Sequence, residues 1–212
     1  MILYVNGDSN SAGTGLKDIT QSWPQLLAKR LGYTLVNDAG PGASNPRILR
    51  VTNLKKIDPD NTFVIIGWTS WEREEWEFNG RYYDVNSGGH TTLPPELELK
   101  YKEWVAEQNS AQQAIKSKDA HDYLYLLHQK LANQKIKHLF FNALMPFQHN
   151  LLDPVHKDWG KNYLGPYDNE LSYYWYLKNH GWQTDSRNHY AEDAQAIWAN
   201  LLYNYIQENQ IL

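Results

Sequence analysis

The chain has 212 residues, 42% hydrophobic and 21% charged, a composition that favours one globular domain with a sizeable core. Its net charge is −4 and it carries no basic block, so nucleic acid and anionic membrane surfaces are poor partners. It has no cysteine, which excludes disulfides, thiolate zinc sites and a cysteine nucleophile.

The first apolar run, residues 2–6, reads as a short buried strand and leads straight into Gly7-Asp8-Ser9-Asn10. Because that strand begins at residue 2, no signal peptide is expected. No apolar stretch approaches the roughly 20 residues of a membrane helix. The expected location is the cytoplasm, or a virion component made there. Ser22-Trp23-Pro24 opens a helix, with Ser22 as cap and Pro24 in the first turn. Leu26, Leu27 and Leu31 line one face of it, and Gly32 stops it. Residues 33–36 form a second strand. A loop, Gly40 to Asn45, then precedes a helix that starts at Pro46 and carries Ile48, Leu49 and Val51. Residues 62–66 read as a third strand, apolar after Thr62, as expected of a strand covered on both faces. A helix around 119–134 feeds a strand over 138–141. The last helix, about 191–207, sets Ala194, Ile197, Trp198, Leu201, Leu202 and Ile206 on one stripe.

Strands alternating with helices predict an α/β fold: a three-layer α/β/α sandwich with a central parallel sheet, flavodoxin-like, over a single domain 1–212. Ligands of such sheets bind beyond the carboxyl ends of the strands. Ser9, Gly42 and the segment Gly67-Trp68-Thr69-Ser70 all follow strands, so they should gather at one edge. Two stretches, around 71–118 and 144–188, exceed a normal connection of about 15 residues and are rich in aromatic residues. They are expected to wall the site, although packing over the sheet would explain them equally well.

A serine hydroxyl becomes a useful nucleophile when a base removes its proton. Histidine does this near neutral pH, and a carboxylate sets its tautomer. The oxyanion that follows needs preformed hydrogen-bond donors. Ser9 on a strand-to-helix turn, and Asp185-Ser186-Arg187-Asn188-His189 just before the last helix, contain these parts. On Gly7-Asp8-Ser9, Gly42-Ala43-Ser44-Asn45, the 67–70 segment and His189, in that order, the chain resembles the SGNH (GDSL-type) hydrolase family. The resemblance implies Ser9 as nucleophile, His189 as base, and an oxyanion hole from the amides of Ser9 and Gly42.

Two positions depart from the family pattern. Its third block reads Gly-x-Asn-Asp, whereas Thr69 stands at the Asn position here and offers a hydroxyl as the third donor; Asn45 and Asn10 are substitutes. The run Gly67-Trp68-Thr69-Ser70-Trp71-Glu72-Arg73 is similar to a phage-associated branch with a Gly-Trp-(Ser/Thr)-Ser block. The family acid lies three residues before the histidine; Asp185 lies four before, Asp193 lies four after and is the alternative, and a Ser-His dyad is a third possibility. Each residue also has a plain structural use: residues 7–10 are turn formers, Gly42 suits a tight turn, and His189 can cap a helix.

The reading is a serine esterase of short acyl, O-acetyl-type esters, with no cofactor and no metal. Nine Trp and fifteen Tyr against five Phe point to a small-molecule or glycan ester as substrate, because such rings combine a flat apolar face with a polar edge. Asn10, Asn45, Trp68, Ser70, Trp71 and Arg73 are the expected substrate-binding residues. The rival is a non-catalytic carbohydrate-binding or structural module on the same fold. The histidines His121 and His128, and the looser set His149, Asp153 and His156, match no common zinc spacing. The glycines from Gly7 to Gly15 lack the Gly-Lys-(Ser/Thr) ending of a phosphate loop.

Overall fold

A computed structural model describes residues 1–90, 92–147 and 156–212. Five parallel strands form the main sheet: β1 (Ile2–Asn6), β2 (Thr34–Asn37), β3 (Thr62–Trp68), β7 (Lys137–Asn142) and β8 (Tyr163–Leu164), in the order β2-β1-β3-β7-β8. Counted along this sheet the order is 2-1-3-4-5, the doubly wound, flavodoxin-like arrangement.

Strand side chains alternate between faces, so each strand feeds two cores. Leu3, Val5, Phe63, Ile65, Leu139 and Phe141 meet α2 (Trp23–Leu31), α6 (Tyr173–Asn179) and α7 (Glu192–Glu208). Tyr4, Val64, Ile66 and Phe140 meet α3 (Asn45–Leu54) and α5 (Ser110–Asn133) on the other side. The result is the expected three-layer sandwich. Trp198 sits at the centre of the first core, edge-on to Phe141 at 5.2 Å and to Tyr173 at 5.3 Å. Its burial accounts for the stripe read along the last helix.

Local signals explain several boundaries. Gly32 ends α2 in the left-handed conformation. Ser22 stands at the α2 N-cap, but its side chain makes no capping bond there. Ser44, one residue before α3, does cap: its Oγ accepts from the Arg47 amide. Helix α5 begins at Ser110, well before residue 119, because the Asn109 side chain accepts from the amides of Ala111 and Gln112.

The stretch 71–118 contains a second sheet, β4 (Glu74–Phe78), β5 (Arg81–Asn86) and β6 (Gly89–His90), followed by α4 (Pro95–Glu107). The β4–β5 turn is Asn79-Gly80, both at positive φ, a two-residue hairpin that the sequence pattern already contains. Trp76, Val85, Leu93 and Trp104 give this insertion its own small core. It docks on α3 through polar contacts: Arg50 to Glu75, and Ser44 to Asp84 Oδ1 at 3.0 Å. This stretch therefore packs on the sandwich, with its first residues alone reaching the site. The stretch 144–188 instead adds strand β8 and helix α6 to the main body.

Candidate active site

The order 2-1-3-4-5 reverses between β1 and β3, and a crevice opens there beyond the carboxyl ends of the strands. Residues leaving β1 and β3 meet in it. Gly7 follows β1; a Cβ at this position would stand 2.5 Å from Ser11 Oγ and 3.0 Å from the Gly67 carbonyl, so the close approach of the two loops requires glycine. Ser9 is the first residue of the short helix α1 (Ser9–Ala12), capped by Asp8, whose Oδ1 accepts from the Asn10 amide at 3.0 Å.

Asp8 is wholly buried and well satisfied. Its Oδ2 accepts from Thr69 Oγ1 at 2.9 Å and from Asn10 Nδ2 at 3.4 Å, and Arg73 Nη1 lies 3.6 Å away. The only hydroxyl proton of Thr69 therefore goes to Asp8, and its backbone amide and carbonyl are held by the Asn45 side chain. Thr69 and Asn45 brace the Ser9 loop; the Thr69 hydroxyl has no proton left for an oxyanion, whereas Asn45 Nδ2 keeps one hydrogen beyond its bond to the Thr69 carbonyl. Asn10 borders the cleft and keeps an amide hydrogen beyond its bond to Asp8. Among the described residues, the amides of Ser9 and Gly42 have no acceptor. Gly42 holds φ +75°, a left-handed turn conformation that glycine adopts without strain.

The cleft, about 310 Å³, is lined by Ser9, Asn10 and Arg73 from the loops after β1 and β3 and by Arg187, Asn188 and His189 from the turn before α7. Leu144, Met145, Tyr174 and Trp175 complete it. The 185–189 segment is a tight turn closed by the Asp185 amide to the His189 carbonyl at 2.9 Å. Asn188, at φ +63°, absorbs the extra residue that separates Asp185 from His189. At the base of the turn Thr184 bridges Tyr190, which is buried and donates to the Tyr174 carbonyl.

Asp185 Oδ1 accepts from the amides of His189 and Arg187. These backbone bonds, the His189 amide foremost, hold its carboxyl below the usual range, so it is ionised near neutrality. Its Oδ2 lies 3.8 Å from His189 Nδ1, about one ångström beyond a hydrogen bond, and the buried Nδ1 has no partner among the described residues. No hydrogen bond joins Ser9 Oγ to the His189 ring. Such contacts are often long before substrate arrives. Asp193 lies exposed in the first turn of α7 and makes no ion pair with His189.

Other expected wall residues lie elsewhere. Trp68 is fully buried in the second core, edge-on to Phe140 at 5.4 Å. Trp71 stacks on Phe147 at 4.8 Å and donates to the Pro146 carbonyl, supporting the 143–147 segment from behind. Ser70 is buried and donates to Glu72. None of the three lines the cleft: Trp68 points into the second core from β3, and Ser70 and Trp71, just past the strand, are held by Glu72 and by the 143–147 segment. The aromatic wall is Tyr174 and Trp175 instead. Leu144 and Met145 follow the end of β7, a position the rule of carboxyl ends would have singled out; Tyr174 and Trp175 sit on α6, for which the sequence held no comparable signal.

Three further histidines, His121, His128 and His138, are buried in the interior. His121 bonds the Tyr167 hydroxyl, and His128 Nδ1 bonds His138 Nε2 at 2.8 Å. His149 and Asp153 lie outside the described residues. A hollow of about 370 Å³ between α3 and α5 has neither histidine nor carboxylate in its lining. No helix is long and apolar enough to cross a membrane, among the described residues.

No protein-family model matches this chain, and no curated protein matches it. Solved structures do. TesA superposes with TM-score 0.53 at 16% identity, over 100% of both chains. The esterase EstA from Pseudoalteromonas sp., in a structure inhibited by monoethylphosphonate, gives 0.52 at 13% identity, over 98% of this chain and 97% of that one. A carbohydrate esterase family 2 enzyme with a carbohydrate-binding domain, from Corynascus thermopiles (Myceliophthora fergusii), gives 0.53 at 11% identity, over 99% of this chain and 66% of that one. This chain therefore shares its α/β sandwich fold with these proteins.

Proposed function

We propose that this protein is a serine esterase that hydrolyses short acyl esters, O-acetyl groups on carbohydrate in particular. The observation that carries the reading is that Ser9 and His189, from opposite ends of the chain, line one cleft at the switch point of the sheet. Ser9 Oγ attacks the ester carbonyl while His189 takes its proton. Asp185 holds the imidazole and stabilises its positive charge. The amides of Ser9 and Gly42 hold the oxyanion, with Asn10 as third donor. Each such donor is worth about 3–4 kcal/mol by analogy with mutagenesis elsewhere. Collapse expels the alcohol, which takes the proton from His189, and water then releases the acyl group by the same steps.

The size of the cleft favours a short acyl chain, and Tyr174 and Trp175 offer ring faces to a sugar. The shared fold with a carbohydrate esterase supports the same substrate class. Incubation with a fluorophosphonate and with p-nitrophenyl acetate tests the reading. Labelling at Ser9 and turnover are expected; a folded protein that shows neither refutes it.

One observation favours a second reading, a glycan-binding module without turnover: the Thr69 hydroxyl is committed to Asp8, where the family has a free amide donor. Saturable glycan binding with no labelling at Ser9 would support it.

A further inference from the structure

The charges around the cleft are distributed unlike those of the whole chain. The chain has 24 acidic and 20 basic residues. Two guanidinium groups, Arg73 and Arg187, line the cleft, and no carboxylate does, among the described residues. Neither arginine is saturated. Arg73 donates to the Ala43 carbonyl at 3.3 Å, faces Asp8 only at 3.6 Å, and leaves its buried Nε without an acceptor. Asp8 takes its own hydrogen bonds from Thr69 and Asn10. Arg187 is 70% exposed at the rim and faces Asp185 only at 3.8 Å. By contrast, Arg50 on α3 is fully engaged by Glu75, with two hydrogen bonds. A guanidinium presents five donors in a planar fork matched to a carboxylate. Two such forks, underused and facing one cleft, are a recognition site for an anion.

Resting on the esterase reading, we infer that the preferred substrate is an ester bearing a carboxylate, held by Arg187 and Arg73 across the cleft. The two arginines distinguish its sources. Arg187 is two residues from His189, the group that protonates the leaving alcohol, so it faces a carboxylate in the alcohol, as in an acylated acidic sugar. Arg73 bonds the Ala43 carbonyl beside Gly42, on the oxyanion side, so it faces a carboxylate in the acyl group, as in a half-ester of a dicarboxylic acid.

The test compares two substrate pairs, each rate divided by the hydroxide-catalysed rate of the same ester. 3-Acetoxybenzoate against its methyl ester places the charge in the alcohol. Mono-p-nitrophenyl succinate against p-nitrophenyl butyrate places it in the acyl group. The wild type should prefer the charged member of at least one pair by ten-fold or more in kcat/KM, and the preference should shrink as salt rises. Arg187→Gln should abolish a preference in the first pair, and Arg73→Gln one in the second, each with the corresponding lysine variant restoring part of it. Because Arg73→Gln disturbs the contacts with Asp8, its melting temperature is measured beside it, and Arg187→Gln, in an exposed turn, keeps the inference testable if Arg73→Gln does not fold. Turnover of neutral esters with no charged preference overturns this inference alone. No turnover of any ester and no labelling at Ser9 overturns the esterase reading and this inference with it.

Discussion

The Ser9 loop and the histidine turn line one cleft but are built in opposite ways. Around Ser9 the scaffold is buried and hydrogen-bonded: Asp8 and Thr69 are wholly inaccessible, and Asn45 holds the backbone of Thr69 on both sides. Around His189 the support is a surface turn, anchored only at its base by Tyr190, with Asp185 and Arg187 in solvent. Ser9 is positioned by the folding of the domain, whereas His189 is positioned by one surface turn. Buried polar scaffolds should therefore fail through stability and the exposed turn through rate.

The largest expected effect is at the nucleophile itself. Ser9→Ala should reduce kcat by about 10⁴-fold or more and abolish fluorophosphonate labelling, with the melting temperature nearly unchanged. Retained activity would place the nucleophile elsewhere. The two aspartates then separate the halves. Asp8→Ala leaves Arg73 without its buried counter-charge and Asn10 without its cap, and should cost about 3–5 kcal/mol in urea unfolding. Asp185→Ala should lower kcat about 10²–10⁴-fold while costing under about 1 kcal/mol of stability. Asp193→Ala should do neither, and the reverse ranking of the two would reassign the acid.

The tryptophans make the same division in apolar terms. Trp71→Ala removes a buried stacked ring and should destabilise by about 3–5 kcal/mol. Trp175→Ala, at the cleft wall, should raise KM for a glycan ester and leave the unfolding midpoint close to that of the wild type. A pH control lies far from the site. Burial lowers His138 from 6.5 to about 4, and burial also lowers its partner His128. A depressed histidine contributes stability that is complete above its unfolded value and lost as pH falls. About 3 kcal/mol should therefore disappear between pH 6.5 and about 4, and His138→Phe should flatten that profile. An unchanged profile in the variant would place the acid sensitivity in other groups.

Much of the molecule is legible from residue order. Alternating strand and helix patterns predict the layers, because a strand buried on both faces is apolar on both, as residues 63–68 are. Gly32 and the stripe through Trp198 place helix ends and faces by local rules. The hairpin turn Asn79-Gly80 was readable but hidden inside a stretch otherwise judged by its length and aromatic content. Strand β8 was not readable: two residues carry no period, and only pairing with β7 makes them a strand.

By itself, then, the sequence determined the sandwich, the position of Ser9 after the first strand, and the placement of His189 before the last helix, since these follow from local periodicity and chain order. Tertiary structure alone decided which side chains face the cleft. It turned Trp68, Ser70 and Trp71 inward, spent the Thr69 hydroxyl on Asp8, and brought Tyr174, Trp175 and Arg187 to the rim. The reason is that a side chain's partners depend on strand register and on what packs behind it, and both are set by residues far away along the chain.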